Sequence, residues 1–202
     1  MKQIFPFLLF INLNTALGSI FKKCDLSKPQ SLKARSFDRC SQNQLDTFYK
    51  NINAGPIIPD GDFNGKVQLP NSTIFEKILS ILPIDLNEAE EFYLERIWKG
   101  KVFYRENSNE AILFNKIVKN KLMFPAHVFY GQSLFDPTKL SIVIDYRNNQ
   151  DIDGYNPNVD WLANTQGVAI RDEMRKVNER LYLGRAYVRG KFLLNFALES
   201  AD

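Results

Sequence analysis

The chain has 202 residues, 45% of them hydrophobic and 13% aromatic, including 16 Phe, and its 26 basic and 23 acidic side chains leave a formal net charge of +3. That length makes one domain the default, and the apolar content suffices for a core in which Phe supplies much of the buried area. So small a charge excess, with no Lys/Arg block or basic stripe, excludes nucleic acid as the main partner.

Met1-Lys2 gives a positive start, Ile4 to Ile11 is nearly unbroken apolar, and Ala16-Leu17-Gly18 supplies small residues for cleavage. Residues 1–18 are therefore predicted to be a signal peptide, and the protein secreted or periplasmic. The apolar run is shorter than the ~20 residues a membrane helix needs, and no integral membrane segment is expected after cleavage. Residues 19–40 form a polar, basic arm holding Cys24 and Cys40. In an oxidising compartment these two would form a disulfide closing a short loop, worth roughly 2–3 kcal/mol, with free thiols as the alternative. Too few other ligands stand nearby for a metal, and no cofactor is expected. Asn71-Ser72-Thr73 matches a glycosylation sequon.

Residues 41–202 are expected to be one helix-plus-β-barrel domain. Ser41 to Ile52 reads as a helix, with Leu45, Phe48, Tyr49 and Ile52 at helical spacing. Asn53-Ala54-Gly55-Pro56 stops it, Pro59 to Asp62 is a turn, and a short strand is expected from Phe63 to Leu69. Two further helices are expected, one capped by Asn71 or Ser72 and ended by Pro83, the other from Leu86 to Arg96. The period then becomes two. Strands are predicted at Trp98 to Arg105, Ala111 to Val118, Ala126 to Ser133, Leu140 to Arg147, Gly167 to Val177, Leu181 to Arg189 and Lys191 to Glu199. Many short strands at this spacing favour a barrel or sandwich over a βαβ sheet, so the fold class is mainly β: an antiparallel, lipocalin-like barrel with two or three N-terminal helices.

Strand faces follow from the alternation. Phe192, Leu194, Phe196 and Leu198 share one side of the last strand, and Leu140, Ile142, Ile144 and Tyr146 one side of another. Between Gly167 and Val177 the row Val168, Ile170, Met174 is interrupted by Asp172, while Arg171, Glu173 and Arg175 share the other side. If that charged row faces solvent it is an ion-pair ladder of about 0.2–1 kcal/mol per pair. If it faces the barrel interior, its charges must pair or hold a ligand.

The ligand-binding candidates are Asp145, Arg171, Glu173, Arg175, Arg185 and Tyr187. No catalytic residue is assigned. His127, the single histidine, reads as a locally hydrogen-bonded strand residue, since no elbow motif or metal spacing accompanies it. Trp98 and Trp161 read as core or rim anchors. The favoured function is non-catalytic binding of a small lipophilic or amphiphilic molecule inside the barrel. The alternatives are an enzyme with Glu173 or Asp145 as proton acceptor and Tyr182 or Tyr187 as donor, and an envelope or interaction protein with a merely structural barrel.

Two resemblances bear on this. Arg185-Ala186-Tyr187 is similar to the Arg-x-Tyr pair that grips a carboxylate in the fatty-acid-binding branch of lipocalin-like barrels. Trp98-Lys99-Gly100-Lys101-Val102-Phe103, Ala126 to Ser133, Ile142 to Tyr146, and Arg171 to Arg175 before Leu181-Tyr182-Leu183-Gly184 resemble a group of small, uncharacterised, mostly bacterial proteins. The likeness spans roughly residues 55–199. It implies a lipocalin-like strand meander and no catalytic residues. Met174 stands where that group has Ile, and Asn178-Glu179-Arg180 where it has a Pro-Gly turn.

Overall fold

Eight antiparallel strands close into a barrel in simple sequence order, β1 pairing with both β2 and β8. They are β1 (Gly61–Gln68), β2 (Trp98–Arg105), β3 (Glu110–Ile117), β4 (Leu122–Gln132), β5 (Leu140–Asp145), β6 (Ile170–Asn178), β7 (Leu181–Val188) and β8 (Lys191–Ser200). The computed structural model describes residues 23–68 and 98–202. The expected signal peptide, the sequon and the two helices expected between Asn71 and Arg96 lie outside the described residues. Among the described residues there is one α-helix, α1 (Gln42–Asn51), and short 3-10 turns. No helix among them is long and apolar enough to cross a membrane.

Ser41 caps α1 by a reciprocal box, its hydroxyl accepting from the Gln44 N–H while the Gln44 side chain accepts from the Ser41 N–H. The helix lies against the outer face of β6, β7 and β8. Leu45 and Tyr49 there join Leu32, Ala34 and Phe37 of the arm and Val177, Leu181, Leu183 and Ala197 of the barrel in an outer core. A separate inner core lies within the barrel, including Phe63, Phe103, Leu113, Ile142, Ile144, Met174, Tyr182, Phe196 and Leu198. Phe63 packs edge-on against both Phe103 and Tyr182. Eight strands enclose room for side chains or one small ligand.

The barrel's two ends differ. At one, the chain after α1 folds inward, so that Ala54 and Ile58 join the inner core. Tyr130 donates to the Gly55 carbonyl and Arg105 to that of Ile58, fixing this plug. The other end carries the connection of residues 146–169, whose Ala163 reaches the inner core.

One face assignment from the sequence fails. A register shift near Ala186 and Tyr187 places Tyr187 opposite Phe192 while Ala186 faces Leu194. A bulge reverses the alternation at that point. Phe192 therefore stands with Tyr187 on the outside, and Leu193 packs against the inner core.

Cys24 and Cys40 form a disulfide with their Cα atoms 4.9 Å apart, at a sequence separation of 16. It cinches the arm whose Leu32, Ala34 and Phe37 cover the barrel. Asn178 donates to the Pro29 and Leu32 carbonyls and Glu199 accepts from the Ala34 N–H, fastening the same segment. Replacing both cysteines with serine is expected to lower stability in urea by about 3 kcal/mol, the loop-entropy value for this length. An unchanged midpoint would show that the barrel contacts alone order the arm.

Candidate functional site

Arg171, Glu173 and Arg175 project outward from the barrel, because Asp172 and Met174 between them point in. Glu173 and Arg175 are nonetheless fully buried. They lie beneath α1 and the β4–β5 turn, an environment that the choice between solvent and interior does not contain. Arg175 donates from Nε to Ser141 Oγ at 3.0 Å and from Nη1 to the Tyr49 and Ile52 carbonyls at 3.0 and 3.5 Å. Its guanidinium stacks 4.6 Å from the Tyr49 ring centroid. The last carbonyls of a helix lack intrahelical partners and favour a cation, so Arg175 caps α1 from the barrel.

Glu173 accepts from Ser133 Oγ and the Leu134 N–H, both at 2.8 Å, and from Tyr187 Oη at 3.0 Å. Arg185 donates to Tyr187 Oη and Asp46, sandwiched 4.2 Å from both Phe135 and Phe192. Asn195 donates to Gln42. Gln42, Asp46 and Tyr49 recur along one helix face, so these contacts mount α1 on the sheet. Burial, then the Glu173 charge, pushes the Tyr187 phenol far up. The structure thus brings Glu173, Arg185 and Tyr187 together outside the barrel. Asp145 and Arg171 face each other across β5 and β6; Arg171 also lies opposite Tyr187 on β7, but its guanidinium donates to the Gln132 carbonyl.

The barrel interior holds a different polar set. Lys101, 2% exposed, points inward from β2 among aromatic rings. Its amine donates to Asn115 Oδ1 at 2.8 Å, Tyr146 Oη at 2.5 Å and Asp172 Oδ2 at 3.0 Å. Asn115 donates to the Phe124 carbonyl and Tyr146 Oη, and Trp98 Nε1 donates to Asn115 Oδ1. The Trp98, Tyr146 and Phe196 rings surround the amine at 5.6, 5.2 and 5.4 Å, a cation–π enclosure. Glycines make room for these rings: a Cβ on Gly65 would meet Trp98 at 2.5 Å, and one on Gly184 would meet Phe196 at 2.2 Å.

Burial pulls Lys101 below the usual lysine range and Asp172 above the usual carboxylate range, each opposed by the charge of the other. Burial, and next the Asp172 charge, holds Tyr146 well up. Among the described residues three buried side-chain atoms have no hydrogen-bond partner: Arg171 Nε, Asp172 Oδ1 and Arg175 Nη2. Asp172 Oδ1 is the one inside the barrel.

A cavity of about 770 Å³ lies on the outside of β3, β4 and β5. Glu106, Glu110, His127, Phe129, Asp145 and Asp151 line it. His127 Nε2 lies 2.9 Å from Asp151, and Asp145 forms a fork with Arg147. Burial works to raise Asp145, but the bonds and charge of Arg147 outweigh it and hold the carboxyl low. No group of three or more potential ligands among the described residues suits a metal ion. Trp161 lies half-buried in the β5–β6 connection.

The sequence reading placed the charged row on the correct strand and left its direction open; the row faces outward, with Glu173 and Arg175 covered. The inward signal was present. Lys101 shares parity with Phe103 on an apolar row, and Asp172 interrupts the row of Ile170 and Met174. Two lone opposite charges on separate inward rows must meet once the barrel closes, since neither can stay unpaired there.

No family model and no curated protein matches the chain. A solved structure described as the crystal structure of a protein from Thermomonospora curvata aligns over 83% of this chain and 93% of that one. Its identity is 14% and its TM-score 0.49.

Proposed function

We propose that this is an exported, lipocalin-like barrel that binds a small amphiphilic molecule at its Lys101 end, with the body of the ligand against the inner aromatic rows. The observation that carries this reading is the buried ion pair of Lys101 and Asp172 inside a largely apolar barrel. Such a pair contributes little net stability, since desolvation offsets the Coulomb attraction. Perturbed ionisable groups in an enclosed apolar setting are characteristic of binding and catalytic sites. The plug of Ala54 and Ile58 closes one end, so this reading puts access at the opposite end, where the connection of residues 146–169 lies. Trp98, the first residue of β2, is partly buried against Phe196, and its indole donates to Asn115. The disulfide supports an oxidising compartment.

The outer groove is the weaker choice, because Asp145 is neutralised by Arg147 and the hairpin acids are solvated. The outer cluster of Glu173, Arg185 and Tyr187 is occupied in holding α1.

Titration of the intact protein with N-phenyl-1-naphthylamine, a neutral apolar fluorophore, is expected to give saturable enhancement at one site per chain. Its affinity should change in the double variant Lys101→Met/Asp172→Leu, which replaces the polar set at similar volume. A linear response, or a saturable one indifferent to the double variant, would sink the reading.

A further inference from the structure

The polar cluster also specifies the head group of its ligand, an inference that rests on the binding reading above. All three donors of the Lys101 amine are engaged, by Asn115, Tyr146 and Asp172. Asn115 Oδ1 already accepts twice, and Tyr146 Oη accepts from both Lys101 and Asn115. What remains open is an acceptor, Asp172 Oδ1, on a side chain that is 5% exposed. A buried acceptor without a partner is costly, and a bond to an ionised one is stronger than a neutral pair.

We infer that the ligand is an apolar alcohol or similarly uncharged hydrogen-bond donor, whose O–H donates to Asp172 Oδ1. A carboxylate finds no free donor on Lys101 and meets the Asp172 charge head-on. A cationic amine would bond the same oxygen but add a second buried positive charge beside Lys101 without a second anion. An ether or ester offers acceptors alone, and the cluster has no donor left for them. This specificity is opposite to that of a fatty-acid carrier. The Arg185–Tyr187 pair that a carboxylate would need inside the barrel lies on its outer surface, where Arg185 is held by Asp46, Phe135 and Phe192.

The test is competition against bound N-phenyl-1-naphthylamine by four probes of matched chain: 1-decanol, decyl methyl ether, decanoate and decylammonium. Decanol is expected to compete about ten-fold or more better than each of the others, the effect of one hydrogen bond to a charged acceptor. In the Lys101→Met/Asp172→Leu variant the preference of decanol over the ether should vanish. If the fluorophore binds but decanoate or the ether competes as well as decanol, the head-group assignment is overturned while the binding reading stands. That outcome would also follow if a water already satisfies Asp172. If the fluorophore does not bind and no probe alters the intrinsic tryptophan fluorescence, both are overturned. Since the comparison is made first on the unaltered protein, it does not depend on any variant folding.

Discussion

Replacing Lys101 with methionine is expected to destabilise the protein by about 3–5 kcal/mol at neutral pH, the usual consequence of stranding one member of a buried ion pair. Methionine fills most of the lysine stem's volume, so lost packing is a minor part. The main part is Asp172, left charged among Trp98, Tyr146 and Phe196. Without its cation, burial lifts the folded-state pKa of Asp172 further above its unfolded value. A carboxyl raised on folding is penalised where the unfolded chain would ionise it, and the penalty disappears as pH falls toward the unfolded value of about 4. The variant's deficit should therefore shrink between pH 7 and pH 4. The Lys101→Met/Asp172→Leu protein should be as stable as the parent or more so. Urea unfolding of the parent, the variant and the double variant across that range measures the coupling. A deficit that is constant with pH, or equal in the double variant, would refute the ion pair's assigned role.

The second large effect is expected at Glu173. Alanine there removes the common acceptor of Ser133 Oγ, the Leu134 N–H and Tyr187 Oη. Buried donors left unmatched cost about 1–3 kcal/mol each, and with partial relaxation the loss should reach about 3–5 kcal/mol. A second readout isolates the electrostatics. The Tyr187 phenol is raised first by burial and next by the Glu173 charge, so its alkaline titration should move down in Glu173→Ala without reaching the free-tyrosine value. Glu173→Gln should do less damage but still confront the Leu134 N–H with an amide or turn away from it. If either variant unfolds like the parent, the β4–β5 turn and α1 do not depend on this carboxylate.

Much of the sheet was legible because its strands alternate cleanly. β2 was placed to the residue, and the inward row of Ile142 and Ile144 in β5, continued by Tyr146 just past it, follows from parity, although Leu140 at the strand's start is exposed. Boundaries moved where parity breaks. β4 begins at Leu122 rather than Ala126, because Pro125 lies within the strand and disguises its start. Phe192 changed sides because a bulge is invisible to a period-two count. The functional geography was harder to read. Arg171, Glu173 and Arg175 carried the conspicuous charge, yet burial on a barrel's outer face depends on what the N-terminal helix covers, and that is a tertiary fact. Lys101 was less conspicuous, hidden in a Trp-x-Gly-Lys segment whose glycine permits a positive φ of 137° and a backbone approach to Phe63. One lysine on an apolar row is a faint mark until closure sets Asp172 beside it.

The seam between β1 and β8 also governs the order in which the molecule can assemble. Neighbouring hairpins nucleate locally, but Phe63 meets Ser200, and Val67 meets Phe196, only after nearly the whole chain has been made. α1 and the cystine-bearing arm dock on those same late strands. Closing so long a loop is slow, so α1 and β1 should remain unprotected against amide exchange until a late kinetic phase, and then acquire protection together with the C-terminal strand.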